Sequence, residues 1–293
     1  MDPVEPDVVE HVPVHDGLAL HVRRWTAGER RPMVLVHGLA SNARLWDGVA
    51  HHLHAAGHPV AAIDQRGHGR SSKPDDGYDM ARVVEDLRRL LEHLDAELGW
   101  TRPVVAGQSW GGNVVVELAA THPGLTAGVV GVDGGTIELA ERFPSWEACA
   151  TALRPPAMVG TPVADLERMM RSGHPDWPES GIQGTLACYE VRADGTIAPR
   201  LTLERHLLVL RGLWEHRPSQ RWAAIEDPVL LLGAEAEEAS GEQQAAKVEA
   251  HEVAAAALRR GRVEWLRGHH DLHAQHPEQV ADLLTRFADE IET

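Results

Sequence analysis

The 293-residue sequence predicts an α/β protein: a mostly parallel, doubly wound sheet with a helical lid inserted into it. Three observations carry this. Short apolar runs alternate with helical patterns along most of the chain. A glycine-rich turn in "VVAGQSWGGNVVVELA" (104–119) joins a strand-like run directly to a helix-like one. Between 138 and 222 the strand pattern lapses into short helical, tryptophan- and proline-bearing segments, after which strands resume.

Taken in order, "EHVPVHDGLALHVRRW" (10–25) reads as an antiparallel hairpin, and "PMVLVHG" (32–38) as a buried strand ending in glycine. "PVAAIDQRGHGRS" (59–71) supplies a strand followed by a turn-rich segment. A helix spans about 79–98, with Asp79 as N-cap, Val83, Leu87, Leu90, Leu94 and Leu98 on one face, and Gly99 past its end. "PVVAGQ" (103–108), "AGVVGVDGG" (127–135), "PVLLLGAE" (228–235) and "RVEWLRG" (262–268) are four further strands. The core is therefore expected from 1–137 and 223–293, with 138–222 as the lid.

Composition narrows the function classes. Apolar content of 43% is ample for a buried core, and no run approaches the roughly 20 apolar residues of a membrane helix. A formal charge of −16 argues against nucleic acid or an anionic membrane as partner, because both call for clustered Lys and Arg. Lysine occurs only at 73 and 247, and the acidic stretch "GAEAEEASGEQQAAKVEAHE" (233–252) reads as a solvated helix face. The first residues, "MDPVEPDVVEHVPV", show no basic segment leading into an apolar one, and Cys149 and Cys188 match no metal spacing. A cytoplasmic protein with two free thiols is expected.

The turn at 107–111, Gly-Gln-Ser-Trp-Gly, matches G-x-S-x-G. A serine on a sharp strand-to-helix bend projects its hydroxyl away from the sheet, where it can act as a nucleophile. A hydroxyl alone is weak. It needs a base, an acid to orient that base, and N–H donors for the oxyanion. The expected place for these is the C-terminal ends of the strands. There "HGLASN" (37–42) offers backbone N–H groups, "DGG" (133–135) a carboxylate, and "GHHDLHAQHPEQV" (268–280) four histidines.

"VLVHGLASNARLWDGVAHHL", "AIDQRGHGRSSKP", "GQSWGGNVVVELA" and "HHDLHAQHPE", in that order and over nearly the whole chain, resemble the α/β-hydrolase superfamily, particularly its bacterial, capped, esterase-like members. The resemblance implies Ser109 as nucleophile, with the backbone N–H groups of Leu39 and Trp110 as oxyanion hole, and it implies no cofactor. It also implies His270 as base, seven residues before Pro277, with His269 one residue too far. His37 and His68 lie in family-type turns and are expected to be structural, and His273 and His276 to pack or face solvent. For the acid, Asp133 lies at a strand end 24 residues beyond Ser109, whereas the later family position holds Glu235 or Glu237 in place of aspartate. Asp133 is favoured, with Glu237 or Glu235 as alternative. Trp146, Met158, Leu208 and Trp214 of the lid are expected to bind a small, mainly hydrophobic substrate.

The expected reaction is acyl transfer from an ester, thioester or lactone. An aminopeptidase, amidase or C–C bond hydrolase on the same residues is the enzyme alternative, and a non-catalytic binding module the alternative from another class. A dehalogenase or epoxide hydrolase would need an aspartate nucleophile, and position 109 is serine. A metal enzyme built on His51, His54 and His58 is disfavoured because no H-E-x-x-H is present. "GHGRSS" lacks the third glycine of a dinucleotide fingerprint.

Overall fold

The computed structural model describes residues 5–15, 17–236 and 241–292. The chain opens with the antiparallel pair β1 (Val8–His15) and β2 (Leu18–Trp25), then continues through β3 (Met33–Val36), α1 (Asp47–Ala55), β4 (Val60–Ile63), α2 (Met80–Leu98), β5 (Val104–Gln108), α3 (Trp110–Thr121) and β6 (Gly128–Val132). An insertion follows, made of α4 (Leu139–Arg142), α5 (Trp146–Ala152), α6 (Val163–Gly173), α7 (Glu179–Leu186), the hairpin β7 (Tyr189–Val191) and β8 (Ile197–Pro199), and α8 (Leu203–Glu215). The chain then returns to the sheet with β9 (Val229–Glu235), α9 (Gly241–Ala257), β10 (Gly261–Arg267), α10 (Leu272–Gln275) and α11 (Pro277–Glu292).

Eight strands form one sheet in the order β1-β2-β4-β3-β5-β6-β9-β10. From β4 to β10 every neighbouring pair is parallel, whereas the β1–β2 and β2–β4 pairs are antiparallel, so β2 alone runs against the other strands. Because parallel strands are covered on both faces, β3, β4, β5 and β6 are buried end to end. α2 and α3 pack one face through Val83, Leu87, Leu90, Val114 and Leu118. On the other face α1 and α11 pack through Val49, Leu53, Val280, Leu284 and Phe287. α1 is thus a core helix, with Val49, Ala50 and Leu53 buried.

α2 illustrates how the local sequence is read by the fold. The Asp79 carboxylate accepts the Arg82 N–H, a cap that contributes about 1 kcal/mol. Gly99 ends the helix with φ of 68°, in the left-handed region. Val83, Leu87, Leu90 and Leu94 are all at most 2% exposed, and each buried leucine contributes roughly 2 kcal/mol.

The insertion holds one feature not anticipated from its sequence, the β7–β8 hairpin. Its strands are three residues long, too short for alternation to show, and the turn is marked only by Asp194 and Gly195 (φ 78°). Among the described residues no helix is long and apolar enough to cross a membrane.

Candidate active site

Among the described residues four non-glycine residues have positive φ, and three of them, Ala40 (59°), Ser109 (54°) and Asp133 (44°), gather at the C-terminal ends of β3, β5 and β6. Each costs on the order of 1–3 kcal/mol and persists only where the surroundings over-determine it.

Ser109 sits between β5 and α3, held by its N–H to the Val132 carbonyl (2.9 Å) and by the Gly112 N–H to its own carbonyl (2.9 Å). The bend needs small neighbours. A Cβ on Gly111 would lie 2.6 Å from the carbonyl oxygens of both Val36 and His37. One on Gly38 would lie 3.0 Å from the Ser109 Cβ, so the loop after β3 is pressed directly against the serine. That loop carries Leu39. Neither the Leu39 nor the Trp110 N–H donates to an acceptor among the described residues, and Trp110 opens a helix whose first N–H groups have no internal partner.

Two buried histidines brace this loop. His37 Nδ1–H donates to the Gly38 carbonyl (2.7 Å) while its Nε2 accepts the Gln65 N–H (3.0 Å). His68 Nδ1–H donates to the Arg66 carbonyl (2.9 Å), its Nε2 accepts the Ala40 N–H (3.2 Å), and its ring stacks on Trp110 with centroids 5.3 Å apart. Burial pushes both below the ordinary histidine range, so each stays neutral with both nitrogens used for structure.

His270 follows β10. Its Nδ1–H donates to Asp133 Oδ2 at 2.6 Å, which leaves the lone pair on Nε2. Its side chain is 51% exposed, at the mouth of the site. Desolvation by the surrounding protein would lower its pKa, but the hydrogen bond and charge of Asp133 overcome this and raise it above the ordinary value. Gln108 Nε2 donates to the His270 carbonyl (3.2 Å), tying the base loop to the strand that carries Ser109.

Asp133 is buried at the end of β6, where its Oδ1 accepts the Ala234 N–H of β9 (2.9 Å). Burial opposes its ionisation. The His270 contact, the Lys247 charge and the Ala234 N–H outweigh that and bring its pKa down to about 2. Asn113 of α3 fixes the following turn, accepting the Gly135 N–H (2.9 Å) and donating to the Ile137 carbonyl (2.7 Å).

The structure therefore brings together Ser109, Leu39, Trp110, His270 and Asp133, and leaves the other candidates apart. Glu235 ends β9 with an exposed side chain, and Glu237 lies outside the described residues. His269 is exposed, with its N–H held by Gln275 Oε1 (2.7 Å). His273 is fully buried against Trp46, with ring centroids 4.4 Å apart, and desolvation pushes its pKa down to about 4.

Lys247 was missed. Its Nζ lies 3.0 Å from Asp133 Oδ1 and 3.1 Å from Oδ2, and donates to the Ala234 carbonyl (3.1 Å). It sits inside the stretch read as a solvated acidic face. The signal that could have found it was the scarcity of lysine, two in 293 residues.

In the insertion the four expected substrate contacts part company. Met158 is buried and lines a cavity of about 510 Å³ that also touches Ala40, next to Leu39. Leu208 does not line it: this residue is 41% exposed on α8. Trp146 and Trp214 also stand outside it, packing edge to face on each other with centroids 6.4 Å apart and against the main apolar core. Cys188, Tyr189 and His206 line the cavity in their place.

Comparison with known proteins bears on the fold. The profile of the family described as alpha/beta hydrolase fold matches residues 31–170. A protein of a Mycobacterium phage, named as a non-heme haloperoxidase, is 38% identical over 125 residues, 42% of this chain and 42% of its own length. A soluble epoxide hydrolase of a Corynebacterium species is 32% identical over 140 residues, 47% of this chain and 46% of its own. The matched segment thus spans less than half of either relative. Among solved structures, E-2-(acetamidomethylene)succinate hydrolase superposes with a TM-score of 0.77 at 22% identity, covering 96% of this chain and 99% of that one. The strand order, the serine bend and these matches agree on the fold: the chain has the α/β-hydrolase fold, and its residues 31–170 are similar to the family described by that name.

Proposed function

We propose that the protein is a serine hydrolase that cleaves a carboxylic ester, thioester or lactone through an acyl-enzyme, with residues 138–222 acting as a cap over the site. The observation that supports this most is the 2.6 Å contact from His270 Nδ1 to a buried, ionised Asp133, beside a serine held at φ of 54°. His270 Nε2 takes the Ser109 hydroxyl proton as Oγ attacks the carbonyl carbon. The Leu39 and Trp110 N–H groups take up the charge on the oxygen, and Asp133 stabilises the imidazolium. His270 returns the proton to the leaving group, then activates a water that releases the acyl group from Ser109. Serine at 109 sets this chemistry apart from an aspartate-nucleophile mechanism of the epoxide-hydrolase kind.

An active-site-directed fluorophosphonate tests the proposal. It is expected to label Ser109 alone, with labelling lost in Ser109→Ala. An unlabelled wild-type protein, or labelling that survives the substitution, contradicts it.

A further inference from the structure

The cavity beside Ala40 runs on into a second, open groove of about 610 Å³, and the two share Glu190, Pro199 and Thr202. The character of the lining changes at that junction. Arg70, Lys73 and Arg200 face the groove, and Glu190 is its single carboxylate. Three cations against one acid is a local reversal of sign in a chain whose formal charge is −16. Several arginines elsewhere are matched to carboxylates, as in Arg23–Asp47 (2.9 Å) and Arg66–Asp86 (2.6 Å).

These three are not. Lys73 Nζ donates to the carbonyls of Gly69 (2.7 Å) and Ser71 (3.1 Å), and Arg200 Nε to that of Ala187 (3.2 Å). Among the described residues none of the three forms an ion pair. An ammonium has three donors and a guanidinium five, so charged N–H groups remain for a ligand. Lys73 is only partly exposed, and that burial, with Arg200 and Arg205 nearby, holds its pKa below the ordinary lysine value against the pull of Asp64 and Glu190. Gathering like charges in a partly desolvated place is unfavourable unless an anion completes it.

We propose that this groove is a subsite for an anionic group of the substrate, a carboxylate or a phosphate. The apolar segment of that substrate occupies the adjoining cavity, and its reacting carbonyl passes Ala40 to reach Ser109. The turnover part rests on the serine-hydrolase reading; the charge preference rests on the groove alone.

The test uses three p-nitrophenyl esters of matched length: hexanoate, the mono-ester of adipate, and the ω-phosphonate counterpart. The wild-type enzyme is expected to show a KM at least about tenfold lower for one or both anionic esters than for hexanoate, the worth of one or two charge-assisted contacts. That ratio should shrink in 0.5 M salt, about the range where exposed charges are screened, and fall towards one in Lys73→Gln/Arg200→Gln. Arg70→Gln, at an exposed position, should lower it in part without risk to folding. Preference for carboxylate over phosphonate, or the reverse, identifies the group. Calorimetry of hexylphosphonate and adipate against hexanol on Ser109→Ala reads the same site without turnover, so a failure of ester cleavage is kept distinct. Equal KM values and equal binding for charged and neutral probes, or a preference that survives the double substitution, overturn the proposal.

Discussion

The ends of β5, β6 and β10 and the cavity wall of the insertion are held by different means. At the strand ends, positions are set by backbone. Ser109 and Asp133 are forced to positive φ, and their N–H groups are tied to β6 and β9. At the cavity wall, positions are set by side-chain packing among Met158, Leu166 and Ile197, beneath exposed neighbours such as Val159. Backbone constraint yields a fixed geometry for bond-breaking, whereas side-chain packing yields a wall that substitution can reshape. The chemistry should accordingly be brittle and the selectivity adjustable.

The sharpest way to break this contrast is at the acid. Asp133→Asn keeps the shape but removes the charge that fixes the His270 tautomer, and a loss in kcat of about 10⁴-fold is expected. Glu235→Gln, on an exposed side chain, should leave kcat within about twofold, as isolated surface substitutions do. A large loss in Glu235→Gln with a silent Asp133→Asn would place the acid elsewhere.

Lys247 gives the next largest effect. Lys247→Met removes a cation that opposes protonation of His270 and helps hold both Asp133 oxygens. His270 must be neutral to act as base, so kcat/KM rises with pH through its pKa, which already lies above the ordinary histidine value. Removing Lys247 raises that pKa further. The ascending limb should move to higher pH, with kcat at neutral pH down about tenfold for the lost charge-assisted contact. Lys247→Arg should restore much of both. A pH profile unchanged in Lys247→Met would reduce this residue to an anchor for α9.

The smallest effects belong to the insertion. Met158→Ala should shift the preferred acyl length with a change of roughly tenfold or less in kcat/KM, since one pocket contact is worth about 1–3 kcal/mol. Leu208→Ala should change nothing, and Trp146→Ala should cost about 2 kcal/mol of stability rather than selectivity. A selectivity shift in Leu208→Ala, or none in Met158→Ala, would contradict the cavity's place in substrate binding.

The same contrast explains what could be read from the sequence. Gly111 is demanded by backbone packing, and Gly38 by the Gln108 side chain and the Ser109 Cβ pressed against it, so the serine bend and its loop were legible in the sequence. The inner strands β3, β4, β6 and β9 were legible as nearly continuous apolar runs. The burial of α1 was not, because its histidines masked the Val49, Ala50 and Leu53 face. Nor were the cavity residues: α8 is amphipathic, and periodicity alone could not say whether Leu208 or His206 faces inward. Lys247 was hidden for a different reason. Its partner is 114 positions away, and its neighbours are acidic.

The central claim is that Ser109 carries the acyl group, and acid-quench mass spectrometry during turnover of a p-nitrophenyl ester tests it most directly. The intact protein should gain the mass of one acyl group, mapped to the peptide containing Ser109, and Ser109→Ala should gain none. An adduct on another residue, or ester cleavage that continues at wild-type rate in Ser109→Ala, would contradict the account.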